Sequence, residues 1–135
     1  SYLTIELKGS IPEDLRPLIG NRIYGCDDCQ LCCPWNRNAP QTREPDFAPR
    51  PGLDTATLVE LFLQEKSVVA TRHLGSAIGR IGVERWLRNI AVALGNAPTS
   101  PEVVAALKSR LDDESELVRE HVRWALARHG RAKDI

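Results

Sequence analysis

The sequence predicts an all-α chain in three parts: a cysteine-rich segment over residues 1–36, a proline-rich linker over 37–53 and a helical domain over 54–135. Three observations lead there. From Asp54 onward apolar residues recur at helical spacing, and no strand-like alternation appears. Within that half LRNIAVALGN (87–96) matches VREHVRWALARHG (118–130). Prolines at 40, 45, 49 and 51 part the halves, because a proline-dense stretch forms neither regular helix nor a central strand.

At 135 residues the chain is long enough for one domain with a core that buries roughly two-thirds of its surface. Hydrophobic content of 42% and charged content of 27% fit a soluble globular protein. No apolar run approaches the roughly 20 residues that span a bilayer and no signal peptide is visible, so a cytoplasmic, monomeric protein with no membrane partner is expected. The chain starts at Ser1 and has no methionine, which suggests a piece of a longer protein lacking sequence upstream.

Taken in order, residues 1–9 (SYLTIELKG) fit either a strand or the end of a helix. A short helix is predicted over 10–20, with Ser10 near its N-cap, Pro12, Glu13 and Asp14 in its first turn and Gly20 stopping it. Beyond the linker, Leu58, Leu61 and Phe62 mark a helix behind a capping residue. A later helix opens with Ser100 as N-cap and Pro101 at its first position, and presents Val103, Val104, Leu107 and Leu111 on one face. The internal match pairs Leu87 with Val118, Arg88 with Arg119, and Ala93-Leu94 with Ala125-Leu126, an offset of 31 to 32 residues. Helix pairs at this interval look like short HEAT-type repeats, whose neighbours share a core because one pair cannot bury its apolar face alone.

Residues 24–36, YGCDDCQLCCPWN, hold all four cysteines. A disulfide staple fits poorly, since adjacent Cys32 and Cys33 are badly placed for an unstrained bridge and nothing suggests export. Zinc needs four tetrahedral ligands. Cys26 and Cys29 make one CxxC pair, but the second would be the contiguous Cys32 and Cys33, with every histidine far along the chain. An iron–sulfur site explains both spacing and proline. Two-cluster ferredoxins carry CxxCxxCxxxCP, and Cys26, Cys29 and Cys33-Pro34 reproduce its last three cysteines. In that pattern the cysteine before proline ligates the other cluster, so Cys26 and Cys29 are expected on one [4Fe–4S] cluster and Cys33 on another. Cys32 is an extra thiol and a fallback ligand.

The stretch SYLTIELKGSIPEDLRPLIGNRIYGCDDCQLCCPWN resembles the second cluster-binding stretch of epoxyqueuosine reductases, and LRNIAVALGN with VREHVRWALARHG resembles their C-terminal HEAT-like domain. The resemblance implies an oxidoreductase that reduces epoxyqueuosine to queuosine in the wobble position of tRNA, with cobalamin, two [4Fe–4S] clusters and an electron donor. It also implies a further ligand cysteine just upstream of Ser1, with the cobalamin-binding half and the catalytic acid, unassignable here, further upstream. Cys32 stands where that family leads us to expect an apolar residue. By ligand counting, the isolated chain should be inactive.

Lys66, Arg72, Arg80, Arg85 and Arg88 face only Glu84 in their stretch, and Arg119, Arg123, Arg128, Arg131 and Lys133 follow on the last helix and tail. Such residues can contact tRNA phosphates, and they can equally be a solvated helix face. Of these, Lys66, Arg72, Arg80, Arg85, Arg88, Arg119 and Arg123 are the candidate RNA contacts. Trp35 is expected to shield the cluster, Trp124 to pack in the core, and Asn89 and Asn96 to cap or join helices. His73, His121 and His129 have no metal-ligand spacing. The competing reading is a HEAT-like protein-interaction scaffold with structural zinc.

Overall fold

A computed structural model describes residues 1–49 and 52–131, and among them every regular element is helical. The cysteine-rich part carries three short helices, α1 (Tyr2–Ile5), α2 (Arg16–Ile19) and α3 (Asp28–Cys32). The rest carries α4 (Leu58–Leu63), α5 (Lys66–Arg72), α6 (Gly82–Asn96), α7 (Pro101–Lys108) and α8 (Glu116–Arg131).

The helix expected over 10–20 is reduced to the single turn α2. Pro17 explains this: it lacks an N–H and its ring would clash with the carbonyl four residues earlier, so no helix runs through from Ser10. The Ser10 hydroxyl does not cap a helix but hydrogen-bonds Glu120 of α8. Gly20 ends α2 with φ +63°, as a stop residue should. Residues 1–9 resolve as the helical turn α1 rather than a strand. The linker is exposed throughout 37–49, its short 3₁₀ turns included; residues 50 and 51 lie outside the described residues.

The helical part starts and stops as its sequence dictates. Thr57 and Glu60 form a reciprocal capping box at α4, with the Glu60 N–H donating to Thr57 Oγ1 (3.1 Å) and the Thr57 N–H to Glu60 Oε2 (2.7 Å). Ser100 Oγ accepts the Val103 N–H at the start of α7, and Pro101 takes the first helical position. Phe62, Leu87, Ile90, Leu107, Val118 and Val122 are fully buried in one cluster. At about 1.5–3 kcal/mol for each fully buried large aliphatic or aromatic side chain, that cluster dominates the stability of this half.

Helix α6 lies at the centre. It runs in the same direction as α8, since Glu84 meets the Ser115 hydroxyl near their starts while the Arg128 guanidinium donates to the Gly95 carbonyl (2.9 Å) and His129 Nε2 meets Leu94 O (2.9 Å) near their ends. These partners lie close to the 31–32 offset of the internal match. The helices touch so closely at Gly95 that a Cβ there would stand 2.6 Å from the Trp124 ring and 2.9 Å from Ala125 Cα. Trp124 is gripped between Arg16 (5.5 Å) and Arg128 (5.3 Å) over its ring.

Candidate metal centre and the helix that carries it

The cysteines occupy the outer end of the N-terminal part. Gly25 (φ +67°) and Asp27 (φ +54°), a residue type that tolerates the left-handed region, turn the chain on either side of Cys26. Cys29 and Cys32 follow on α3, both exposed. Cys33 leaves the helical path with φ −68° and ψ 119° because Pro34 pushes the residue before it out of the α region. None of the four is in a disulfide. The Cys26 thiol is held below its ordinary pKa by the backbone N–H of Asp28 and the Ser1 hydroxyl, 3.6 Å from its sulfur, which favours the thiolate that soft metals bind. An ion pair between Arg22 and Asp28 (2.9 Å) ties the entry of α3 to the turn after α2.

Among the described residues no three Cys, His, Asp or Glu side chains come close enough to hold a metal ion. The structure therefore does not gather Cys26, Cys29 and Cys33 into one closed site. Trp35 is 86% exposed and covers nothing within this chain.

Segment 1–25 contains only two single-turn helices, so many of its carbonyls have no helical partner and must be satisfied from outside. Helix α6 supplies the donors. Arg88 is wholly buried and uses all five N–H groups: Nη1 donates to Leu7 O and Gly9 O (2.7 Å each), Nη2 to Leu3 O (2.8 Å) and Asn89 Oδ1 (2.9 Å), and Nε to Asn89 Oδ1 (3.1 Å). Asn89 Nδ2 donates to Thr4 O and Ile23 O, both at 2.8 Å. One turn earlier Arg85 donates to Ile5 O (2.8 Å), and at the far end Asn96 donates to Arg16 O (2.9 Å) and Gly20 O (3.1 Å). Burial, reinforced by the charge of Arg85, lowers the Arg88 pKa to about 10, which leaves it charged at neutral pH. From α8, His121 Nε2 accepts the Ile11 N–H (3.1 Å) while its Nδ1 meets Leu117 O (2.7 Å), an arrangement that requires the neutral ring. Burial accordingly lowers its pKa to about 4.

Arg88 was a candidate RNA contact, and the structure corrects this: buried and fully bonded, it cannot reach a phosphate. Arg85 is half-buried and bonded to the carbonyls of Ile5, Arg80 and Ile81. Sequence order also hid acidic partners of the others: Lys66 pairs with Asp113 (3.0 Å), Arg80 with Glu6, and Arg119 and Arg123 both with Glu116. Arg72 is half-buried. Lys133 and the side chain of Arg131 lie outside the described residues. Trp86 is buried against His73, with ring centroids 4.9 Å apart. The residues that hold the cysteine segment were missed as a set; their one signal was an Arg-Asn pair heading the otherwise apolar stretch RNIAVAL, where polar side chains need a reason to be buried.

Residues 1–36 match the 4Fe-4S double cluster binding domain family. The chain is 63% identical over 130 residues to the epoxyqueuosine reductase of Xanthomonas campestris pv. campestris, covering 96% of this chain and 37% of that one. To that of Pseudomonas aeruginosa it is 62% identical over 130 residues (96% and 36%), and to that of Escherichia coli strain K12 60% over 129 (94% and 33%). Its fold is similar to a crystal structure of selenomethionine-labelled epoxyqueuosine reductase, with a TM-score of 0.64 at 20% identity over 93% of this chain and 42% of that one. The chain spans about a third of the length of the curated relatives it matches. In sequence the chain corresponds to a segment of the epoxyqueuosine reductases it matches, and its fold is similar to that of a solved one.

Proposed function

We propose that this chain is the C-terminal, cluster-ligating and RNA-holding part of an enzyme that reduces epoxyqueuosine to queuosine in tRNA. The observation that carries this reading is the CxxCxxxCP run, which lies within a segment matching a double 4Fe-4S cluster domain and in which the cysteine before proline goes with the second cluster. Cys26 and Cys29 would hold one [4Fe–4S] cluster and Cys33 the other, with Cys32 outside the set. Ser1 lies beside Cys26, so a cysteine immediately before it would reach the same cluster. The clusters, when bound, pass electrons, and the cobalamin and catalytic acid belong to sequence outside this chain. What the chain itself supplies is a thiolate array on a rigid mount.

The helical half is a pair of HEAT-like repeats, a reading supported by the parallel run of α6 and α8 at nearly the offset of the internal match. Lys66, Arg72, Arg80, Arg119 and Arg123 are its proposed phosphate contacts, Arg80 and Arg123 being the most exposed. Pairing with Glu6 and Glu116 is the partly screened surface kind that contributes little and yields to a phosphate.

The test is the iron, sulfide, cobalt and zinc content of the full-length protein purified without oxygen. Iron matched by sulfide, with bound cobalamin, is expected; zinc without iron or sulfide would replace the enzyme with a zinc-bearing scaffold for a protein partner. For RNA, tRNA affinity should fall steeply with salt, and Arg80→Ala with Arg123→Ala should reduce that slope.

A further inference from the structure

We propose that Asn89 is a positioning residue for the ligand Cys26, fixing the separation between Cys26 and the chain that enters at Ser1. This rests on the iron–sulfur reading above.

Asn89 is wholly buried. Its amide cannot turn over, because Oδ1 accepts two donors from Arg88, a side chain with no acceptor, and Nδ2 faces two carbonyls. Those carbonyls belong to two different stretches: Thr4, in the helix that starts the chain, and Ile23, on the approach to Cys26. The same two stretches are joined again at Thr4, whose buried hydroxyl donates to Ser1 O (3.0 Å) and accepts the Gly25 N–H (3.0 Å). Gly25 precedes Cys26, and Ser1 Oγ lies 3.6 Å from the Cys26 sulfur. A continuous set of bonds thus runs from Asn89 through Thr4 to both ends of the gap. A cluster needs its ligands at set separations, and here the separation is set by side chains that touch neither cysteine. Asn96 offers the internal control: it makes the same two-carbonyl grip from the same helix, but on Arg16 and Gly20.

The test uses the full-length holoprotein purified without oxygen, as wild type, Asn89→Leu, Thr4→Val and Asn96→Leu. Release of iron to an excess of bipyridyl is timed, and Tm is measured beside it. Asn89→Leu and Thr4→Val should release iron roughly tenfold faster than wild type, as expected when a residue that orients a metal ligand is lost. Asn96→Leu, with a similar fall in Tm, should release it at the wild-type rate. Equal rates for Asn89→Leu and Asn96→Leu would overturn the proposal while leaving the iron–sulfur reading intact. If Asn89→Leu does not fold, Thr4→Val decides alone, and a wild-type rate there overturns the proposal. A wild-type protein without iron and sulfide overturns the reading and the proposal together.

Discussion

Phe62, Leu87, Ile90 and Leu107 are buried as side chains packed on one another, whereas residues 1–25, most of them exposed or half-buried, are tied to α6 through backbone carbonyls that accept bonds from Arg85, Arg88, Asn89 and Asn96. The N-terminal part adds apolar contacts as well, Ile11 and Ile19 on Val92 with Leu3 and Leu7 beside them, and Ile5, Ile23 and Tyr24 against the helical core. Apolar burial is non-directional; a row of hydrogen bonds fixes both distance and angle. The second kind of attachment fixes the backbone that leads into the cysteines. Helix α6 takes part in both, with its apolar faces in the helical core and its polar row against the cysteine segment.

The sharpest way to break that contrast is Arg88→Met, which keeps the stem and removes five donors. It leaves the carbonyls of Leu3, Leu7 and Gly9 and the Asn89 amide oxygen without a partner, at about 1–3 kcal/mol for each buried group, so urea denaturation should show a loss of more than about 3 kcal/mol. Next comes Gly95→Ala in the apolar half. Alanine prefers helix by about 1 kcal/mol, but its methyl would meet Ala125 backbone at 2.9 Å, and overpacking of about 1–3 kcal/mol opposes it, for a net loss of up to about 2 kcal/mol.

The two halves should also part in their response to acid. His121 is neutral when folded, with a pKa lowered from 6.5 to about 4, so the unfolded chain binds its proton first as pH falls. Stability is full above about 6.5 and declines as pH drops towards about 4. The groups around this ring are Arg16, Arg88 and Glu120, and only Glu120 titrates near this range, below 4.5. His121→Gln should therefore flatten the pH dependence of the urea midpoint between pH 6.5 and 5. The smallest effect is expected from Ser100→Ala, which removes one cap at the start of α7 and should cost about 1 kcal/mol without touching the cysteine segment.

The apolar half was readable because its rules are local. Ser100, Pro101, Val103 and Leu107 announce α7 through capping and 3.6-residue spacing, and the matching stretches 87–96 and 118–130 fall on α6 and α8, which run side by side. The cysteine run was legible as a spacing, CxxCxxxCP. Its mount was not, because Arg88 serves carbonyls some 80 residues away and nothing local distinguishes a guanidinium buried on backbone from one in solvent. The same blindness made Arg88 look like an RNA contact, and Glu6 and Asp113 were invisible as partners of Arg80 and Lys66. Pro17 was overlooked within 10–20, although its effect on a helix is local and was readable.

The measurement that tests the mount most directly is native-state amide hydrogen exchange on wild type and Arg88→Met. The Ile11 N–H bonded to His121 and the Gly25 N–H bonded to Thr4 report the cysteine segment, while Leu107 and Val122 report the apolar core. Polar attachment by α6 predicts that Ile11 and Gly25 lose protection in Arg88→Met while Leu107 and Val122 keep theirs. Unchanged protection at Ile11 and Gly25, or an equal loss at all four, would contradict it.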